Sequence, residues 1–349
     1  MGETARAYDV LVLGGGLSGL AAAWALEQRG IGYAIVEVKD RLGGSIITTE
    51  HAGYTLDGTH FMLEKNGDWP FLGELGLPDS ALVQVGRYRM GHLVCFRHGT
   101  ETLVRALAAQ VRAPLLLRMA AASIGPLPDG RWGVCLENGV LLTARAVIVA
   151  LPARYAARVL ASWQPEAAFF LGSVAYEPTV RVSAGFAAAD VPGLPANSDT
   201  LKVDWAVRDP RIRFVHAYTL PDRVPQGGRL LRVGVRVEGG ESEPPTPEAV
   251  EAAAALGRAV ITDGARVLNA AAEPVFTAAH FWPEADPLGL GVPEQVRGMA
   301  VLKAALPPTL AVIGSDTADR AAERYLERRI HNAHAAVRRI AEDGLGVRG

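Results

Sequence analysis

Tyr8 to Leu13 is a run of apolar and β-branched residues that stops at a glycine, the pattern of a strand buried on both faces. Leu17 to Arg29 is rich in Ala, Leu, Glu and Gln, with Gly19 the one breaker, and predicts a helix closed by Gly30. Tyr33 to Val38 predicts a second buried strand. Strand, helix and strand within about 30 residues are the size of one βαβ unit. The apolar stretch of residues 10–26 could also be read as a signal peptide or a membrane span. It is short for a span, it holds four glycines and a serine, and Glu3 and Asp9 offset Arg6 ahead of it. A buried strand feeding a tightly packed helix explains it better, so the expectation is a cytoplasmic protein with no integral membrane segment.

Past the break Asn66-Gly67-Asp68-Trp69-Pro70, Phe71 to Leu75 predicts a short helix. Glu101 to Val111 predicts an amphipathic one, with Leu103, Leu107 and Val111 four apart. Arg131 to Leu136, Val140 to Leu142 and Ala146 to Val149 predict strands, the first two joined as a hairpin through Glu137-Asn138-Gly139. From Trp163 the texture changes. Val180 to Phe186, Ile212 to Leu220 and Leu230 to Val237 have β character between Pro-rich turns, as in a mostly antiparallel sheet. After the loop Glu241 to Pro247, Thr246 can cap a helix with Pro247 in its first turn, running to about Val260. Leu310 to Ile313 predicts another buried strand, ending at Gly314. A long basic helix follows, with Ile330, Val337 and Ile340 on one face and its charges solvated.

Composition narrows the classes. Lys plus Arg number 35 against 37 Asp plus Glu, for a net charge of -2, which lacks the basic excess of a nucleic-acid binder. Cys95 and Cys135 show neither CxxC nor zinc spacing and are expected as reduced thiols, with a single disulfide the alternative.

Gly14-x-Gly16-x-x-Gly19 lies between the first strand and the first helix. Gly14 permits the tight turn, Gly16 lets backbone approach a pyrophosphate, and Gly19 lets helix and strand pack closely. The helix N-terminus at Leu17 and Ser18 offers amides and a positive dipole end to that anion. Glu37 ends the second strand about 20 residues on, where an acid holds ribose hydroxyls. An ordinary Gly-rich turn and a solvated strand-end acid are the alternatives.

Glu37-Val38-Lys39-Asp40-Arg41-Leu42-Gly43-Gly44-Ser45-Ile46 resembles the acid–x–x–D–R–x–G–G–[RK] continuation of the flavin amine oxidase superfamily, which also holds protoporphyrinogen oxidases and carotenoid desaturases. The double glycine would make a second approach to the pyrophosphate, which a plain NAD domain does not need. Leu56-Asp57-Gly58-Thr59-His60-Phe61 resembles the segment beside the isoalloxazine ring, and Gly99 to Leu107 the second helix of the FAD domain. Ala144 to Pro152 resembles the strand ending next to the flavin, and His280-Phe281-Trp282-Pro283-x-Ala285-x-Pro287 the stretch that re-enters the FAD domain. Leu310 to Asp316, with the helix containing Leu326-Glu327, resembles the closing motif whose helix N-terminus faces the flavin.

The fold so implied is α/β: a Rossmann-like FAD-binding domain (1–62, 97–155 and 285–349) with an inserted α+β substrate domain (63–96 and 156–284). The implied cofactor is non-covalent FAD. Its binding set is Gly14, Gly16, Leu17, Ser18, Gly19, Glu37, Val38, Lys39, Arg41, Gly43, Gly44, Ser45, Gly58, Thr59, His60, Phe61, Ala121, Ala150, Pro152, Trp282, Gly314, Ser315, Asp316, Tyr325 and Leu326. His60, Arg181 and Trp282 are the candidate catalytic residues. Arg181 stands where many members carry a lysine, and an outward-facing strand arginine is its alternative. His216 and Tyr218 are further candidates with a structural alternative.

Ser45 departs from the family's Arg or Lys, so Lys39 or Arg41 is expected at the phosphates instead. Gly314-Ser315-Asp316 departs from G-[ED], so Ser315 or Asp316 would reach the ribityl chain, or Asp316 would cap the last helix. The implied activity is transfer of a hydride from a small-molecule substrate to flavin N5, by amine C–N oxidation or C–C desaturation, with oxygen or another oxidant as acceptor. A flavin-dependent isomerase or mutase without net redox change, a non-catalytic flavin-binding protein and an NAD-dependent dehydrogenase are the rivals.

Overall fold

The computed structural model describes residues 7–59, 63–88, 91–194, 209–220, 222–239, 245–287, 292–317 and 326–347. The opening βαβ unit is β1 (Ala7–Leu13), α1 (Leu17–Gln28) and β2 (Tyr33–Glu37). The ribbon β3 (Thr48–His51) and β4 (Tyr54–Asp57) follows, then β5 (Leu63–Lys65), α2 (Phe71–Glu74), β6 (Leu82–Tyr88) and β7 (Gly91–Phe96). Next come α3 (Glu101–Ala108), β8 (Leu115–Leu117), β9 (Ala121–Pro126), β10 (Trp132–Leu136) and β11 (Leu141–Val149). The helices α4 (Ala153–Leu160) and α5 (Pro165–Gly172) lead to β12 (Tyr176–Ala187), β13 (Ile212–Tyr218) and β14 (Gly228–Arg236). The chain continues through α6 (Pro247–Leu268), β15 (Phe276–Pro287), α7 (Pro293–Ala305), β16 (Leu310–Val312) and α8 (Leu326–Arg339).

The sheet that carries the first motif has seven strands, in the order β8-β2-β1-β11-β10-β9 with β16 also on β11. β1 lies parallel to β2 on one side and to β11 on the other. The far edge of β11 is shared: β10 pairs antiparallel along residues 141–144, and β16 pairs parallel along residues 147–149. Helices cover both faces, as buried parallel strands require. α1, α3 and α8 pack on one side through Leu20, Trp24, Leu103, Ile330 and Val337. α4, α5 and α7 pack on the other through Ala156, Leu160, Leu171, Met299 and Leu302.

A second, four-stranded antiparallel sheet has the order β13-β14-β12-β15. One of its faces buries Val180, Val182, Val233 and Val235 against Ala253, Ala254 and Ile261 of α6. A three-stranded sheet, β5-β7-β6, lies near its other face, where Cys95 meets Tyr218, Leu220 and Leu230.

The strands expected at Val140–Leu142 and Ala146–Val149 are one strand. Arg145 breaks the apolar pattern but not the backbone; it is exposed and pairs with Asp9 at 3.2 Å. α6 runs past Val260 to Leu268, because Ile261 and Ala265 continue its buried stripe. Val38 lies beyond the end of β2 and is 61% exposed, and the strand expected to reach Leu220 ends at Tyr218. Both cysteines are free thiols. Among the described residues no helix is long and apolar enough to cross a membrane.

Candidate functional site

The carboxyl ends of β1, β2 and β11 converge on two glycine loops. Gly14 donates its amide to Val36 O at 2.8 Å and holds φ at +102°, where a side chain would be strained. A Cβ there would also stand 2.5 Å from Ala150 O, on the loop that leaves β11. At Gly19 an added Cβ would overlap Gly14 O, so α1 sits directly on the loop it follows. Gly16 opens α1 with no side-chain cap, and Leu17 and Ser18 form its buried first turn. That leaves a helix N-terminus suited to an anion.

The second loop lies against the first. Gly43 donates to Gly15 O at 2.8 Å, and a Cβ on Gly44 would come within 3.0 Å of Gly16 Cα. Lys39 Nζ and Arg41 Nη2 donate to Gly44 O at 3.0 and 2.9 Å, and Arg41 Nη1 reaches Leu42 O and Ile46 O at 3.0 and 3.2 Å. These two side chains, expected at the phosphates, brace the loop that would hold them. Partial burial, then the charge of Arg41, lowers the Lys39 ammonium pKa. Ser45 contributes its carbonyl, which accepts from Thr59 Oγ1 at 2.9 Å.

Glu37 is buried at the end of β2. Its Oε2 accepts from Gly15 N at 2.7 Å and its Oε1 from Lys39 N at 2.8 Å, which fixes the carboxylate beside the first loop. Met119 N donates to Glu37 O at 3.0 Å, so the chain entering β9 passes this end of β2 and brings Ala121 near it. Across the loops, Pro152 opens α4, whose Ala153 amide donates to Asp316 Oδ2 at 2.7 Å. The Tyr176 hydroxyl donates to the same oxygen. Asp316 therefore caps α4, and it follows Gly314 and the half-buried Ser315. Burial, then the Asp316 charge, pushes the Tyr176 phenol pKa up. Leu326 is buried at the start of α8. His60, Phe61 and Tyr325 lie outside the described residues.

Gly58 joins the cradle to the four-stranded sheet. Arg181 Nη1 donates to Gly58 O at 2.9 Å, and a Cβ on Gly58 would overlap the Trp282 ring. Trp282, on β15, thus packs against Gly58. Its Nε1 is buried with no hydrogen-bond partner among the described residues.

Two groups of residues carry the site without having been singled out from the sequence. Asp57, fully buried, accepts from Thr48 Oγ1 at 2.6 Å, Thr100 N at 3.0 Å, Thr100 Oγ1 at 2.9 Å and the buried Arg223 Nη2 at 2.6 Å. It holds the residue before Gly58 in place. Glu284 accepts from Tyr155 at 3.2 Å and faces Arg154 at 3.7 Å; burial raises its pKa. The Asp-Gly pair of residues 57–58 was the one available signal for the first group. Nothing in the sequence joins residues 57, 100 and 223.

The cradle fits the ADP half of FAD: its inner surface is glycine where any Cβ would fill it, a helix N-terminus opens on it, and an oriented carboxylate stands at its side. Residues 12–69 match the NAD(P)-binding Rossmann-like domain family, and residues 80–340 match the flavin containing amine oxidoreductase family. Over 94 residues the chain is 32% identical to a coproporphyrinogen III oxidase of Propionibacterium freudenreichii subsp. freudenreichii, which covers 26% of this chain and 18% of that protein. Over 77 residues it is 34% identical to polyamine oxidase 2 of Arabidopsis thaliana, covering 21% of this chain and 16% of that protein. The matched stretches thus span less than a fifth of either relative. Among solved structures, cyclohexylamine oxidase from Brevibacterium oxydans IH-35A superposes with a TM-score of 0.68 at 15% identity, over 96% of this chain and 99% of that one. A fatty acid isomerase from P. acnes superposes with a TM-score of 0.66 at 12% identity, over 95% and 98%. A match that runs over residues 80–340, more than half of the sequence, makes the chain a member of the flavin containing amine oxidoreductase family, with FAD as its cofactor.

Proposed function

We propose that this protein is an FAD-dependent oxidoreductase that takes a hydride from a small-molecule substrate, by amine C–N oxidation or C–C desaturation. The observation that carries the reading is the pair of apposed glycine loops, Gly14 to Gly19 and Gly43 to Gly44, closed by Glu37. Bound FAD would supply the hydride acceptor, its N5, and the redox chemistry is the cofactor's own. The protein's part is to bind, orient and exclude water. The first-loop amides and the α1 N-terminus bind the pyrophosphate, and Glu37 holds the ribose. Asp57 and Arg181 fix Gly58 from two sides. Trp282, packed on Gly58, walls off solvent. His60 is the polar group proposed beside the ring. Segments 1–62, 97–155 and 285–349 are assigned to the cofactor, and 63–96 and 156–284 to the substrate.

The test is an absorption spectrum of the purified protein before and after heat denaturation, followed by anaerobic substrate screening. Flavin bands, FAD in the supernatant and bleaching by an amine or a desaturable substrate are expected, with stoichiometric consumption of an oxidant in air. Turnover that needs reductant but consumes no acceptor would replace this reading with isomerisation. A protein that binds no FAD when it is added would remove it.

A further inference from the structure

The four-stranded sheet has a second face, turned away from α6. The register aligns Phe214, Gly234, Arg181 and His280 in one row across its strands, and His216, Arg232 and Ser183 in the next. Gly234 has no side chain, and the Phe214 ring takes the space a Cβ would fill. That ring stacks on His216 with centroids 4.5 Å apart. Trp282 lies further along the same face of β15, stacked on His280 at 6.5 Å.

The two arginines of this face are tied to the segment that leads into Gly58. Arg181 donates to Gly58 O, and the buried Arg232 donates through Nη2 to Asp57 O at 2.6 Å and through Nε to Ser183 Oγ at 3.3 Å. The cations are thereby held on the cofactor side of the sheet. Their field reaches both imidazoles. Burial, then Arg232 and Arg181, lowers the His216 pKa to about 4. Burial, then Arg232 and His51, lowers that of His280. His216 is therefore neutral near pH 7. Its Nδ1 is hydrogen-bonded to the Tyr218 hydroxyl, and Tyr218 lies within the field of Arg232. Where the Tyr218 hydroxyl donates to Nδ1, the imidazole carries its proton on Nε2.

Four groups of this face present N–H donors, beside the Ser183 hydroxyl and the His280 imidazole, which can also accept. The four are the two guanidiniums, His216 Nε2–H and Trp282 Nε1–H, the last buried without a partner among the described residues. The rows named above contain no Asp or Glu. A wall with two cations, these donors and no carboxylate in its rows suits an oxygen acceptor, best a carboxylate, while an ammonium group there would meet like charge. The Phe214 and Trp282 rings suit an apolar body.

We propose that the sheet face carrying Phe214, His216, Arg181, Arg232 and Trp282 is the substrate wall, and that it takes an apolar carboxylic acid as its anion rather than a cationic amine. This rests on the flavin reading above, which puts the cofactor beside Gly58. The test is isothermal calorimetry at pH 7.5 with benzoate and benzylamine, which share a ring and differ in charge, on protein purified and then supplied with FAD. Benzoate is expected to bind at least about tenfold tighter than benzylamine. Arg181→Met should remove most of that margin and Arg181→Lys should restore part of it. His216→Phe should weaken benzoate with little effect on benzylamine. Equal or tighter binding of benzylamine, no heat from benzoate, or benzoate affinity unchanged in both Arg181→Met and His216→Phe would each overturn the proposal. Flavin absorbance is read on the same samples. Protein that takes up no FAD overturns the flavin reading, while calorimetry still ranks acid against amine.

Discussion

Two glycines of the first loop face different constraints, and their substitutions should separate binding from folding. A Cβ at Gly19 overlaps the Gly14 carbonyl, a backbone atom that cannot swing away. Gly19→Ala should therefore cost the cofactor-free protein about 1–3 kcal/mol in urea unfolding. A Cβ at Gly16 meets only Gly44 Cα, at 3.7 Å, an ordinary contact. Gly16→Ala should cost the free protein no more than about 1 kcal/mol, the scale of a helix N-cap change. It should raise the FAD dissociation constant by about tenfold or more, because the new methyl stands where a phosphate must approach. Asp57→Ala removes the carboxylate from the buried Arg223 and should cost about 3–5 kcal/mol by the same measurement. The first prediction was legible in the sequence, since the glycine spacing announces its own geometry. The third was not: residues 57, 100 and 223 are brought together by tertiary structure, and no local pattern marks a buried arginine. Lys39 and Arg41 are expected at the phosphates, and their bonds to the carbonyls of residues 42, 44 and 46 show the loop they brace, which spacing alone does not give.

At the scale of elements, hydropathy located strands and helices well and misjudged where some of them stop. Arg145 split β11 in the reading because a single outward charge on a strand looks like a break. α6 outran its expected end because its buried stripe survives Gly264 and the charged residues around it. Its start was read correctly: Thr246 Oγ1 accepts from Ala249 N at 3.2 Å, with Pro247 in the first turn. Thr246→Ala should lower stability by about 1 kcal/mol, read as a shift in the urea midpoint with unchanged slope. The face opposite α6 carries the histidine whose protonation the fold resists. The His216 pKa lies near 4 against an ordinary 6.5. Between those values the unfolded chain binds the additional proton, so stability is full above about pH 6.5 and falls as the pH drops toward 4. Urea unfolding from pH 4.5 to 7.5 should show that loss. His216→Phe should flatten the curve in part, with the downward-shifted His280 supplying a remaining slope in the same direction.

For the whole molecule, the cradle draws on the carboxyl ends of β1, β2 and β11, on the loop after β16 and on a ribbon clamped to a second sheet. Cofactor occupancy should therefore stabilise the protein globally. FAD at about 100 times its dissociation constant would add about 2.7 kcal/mol, and removing it by dialysis should lower the melting temperature accordingly. The order of the seven-stranded sheet also has a bearing on biogenesis. Residues 147–149 of β11 pair with residues 310–312 of β16, although the rest of that edge is already covered by β10. A ribosome adding about 5–20 residues each second would leave roughly 10–30 s between making one partner and the other. During that interval the nascent chain would display a short, open, apolar strand edge, with the flavin cradle unfinished on one side. Holding that edge away from other nascent chains is a task for a chaperone or for the surface of the ribosome itself, and loading of the flavin would come only after the last strand has docked.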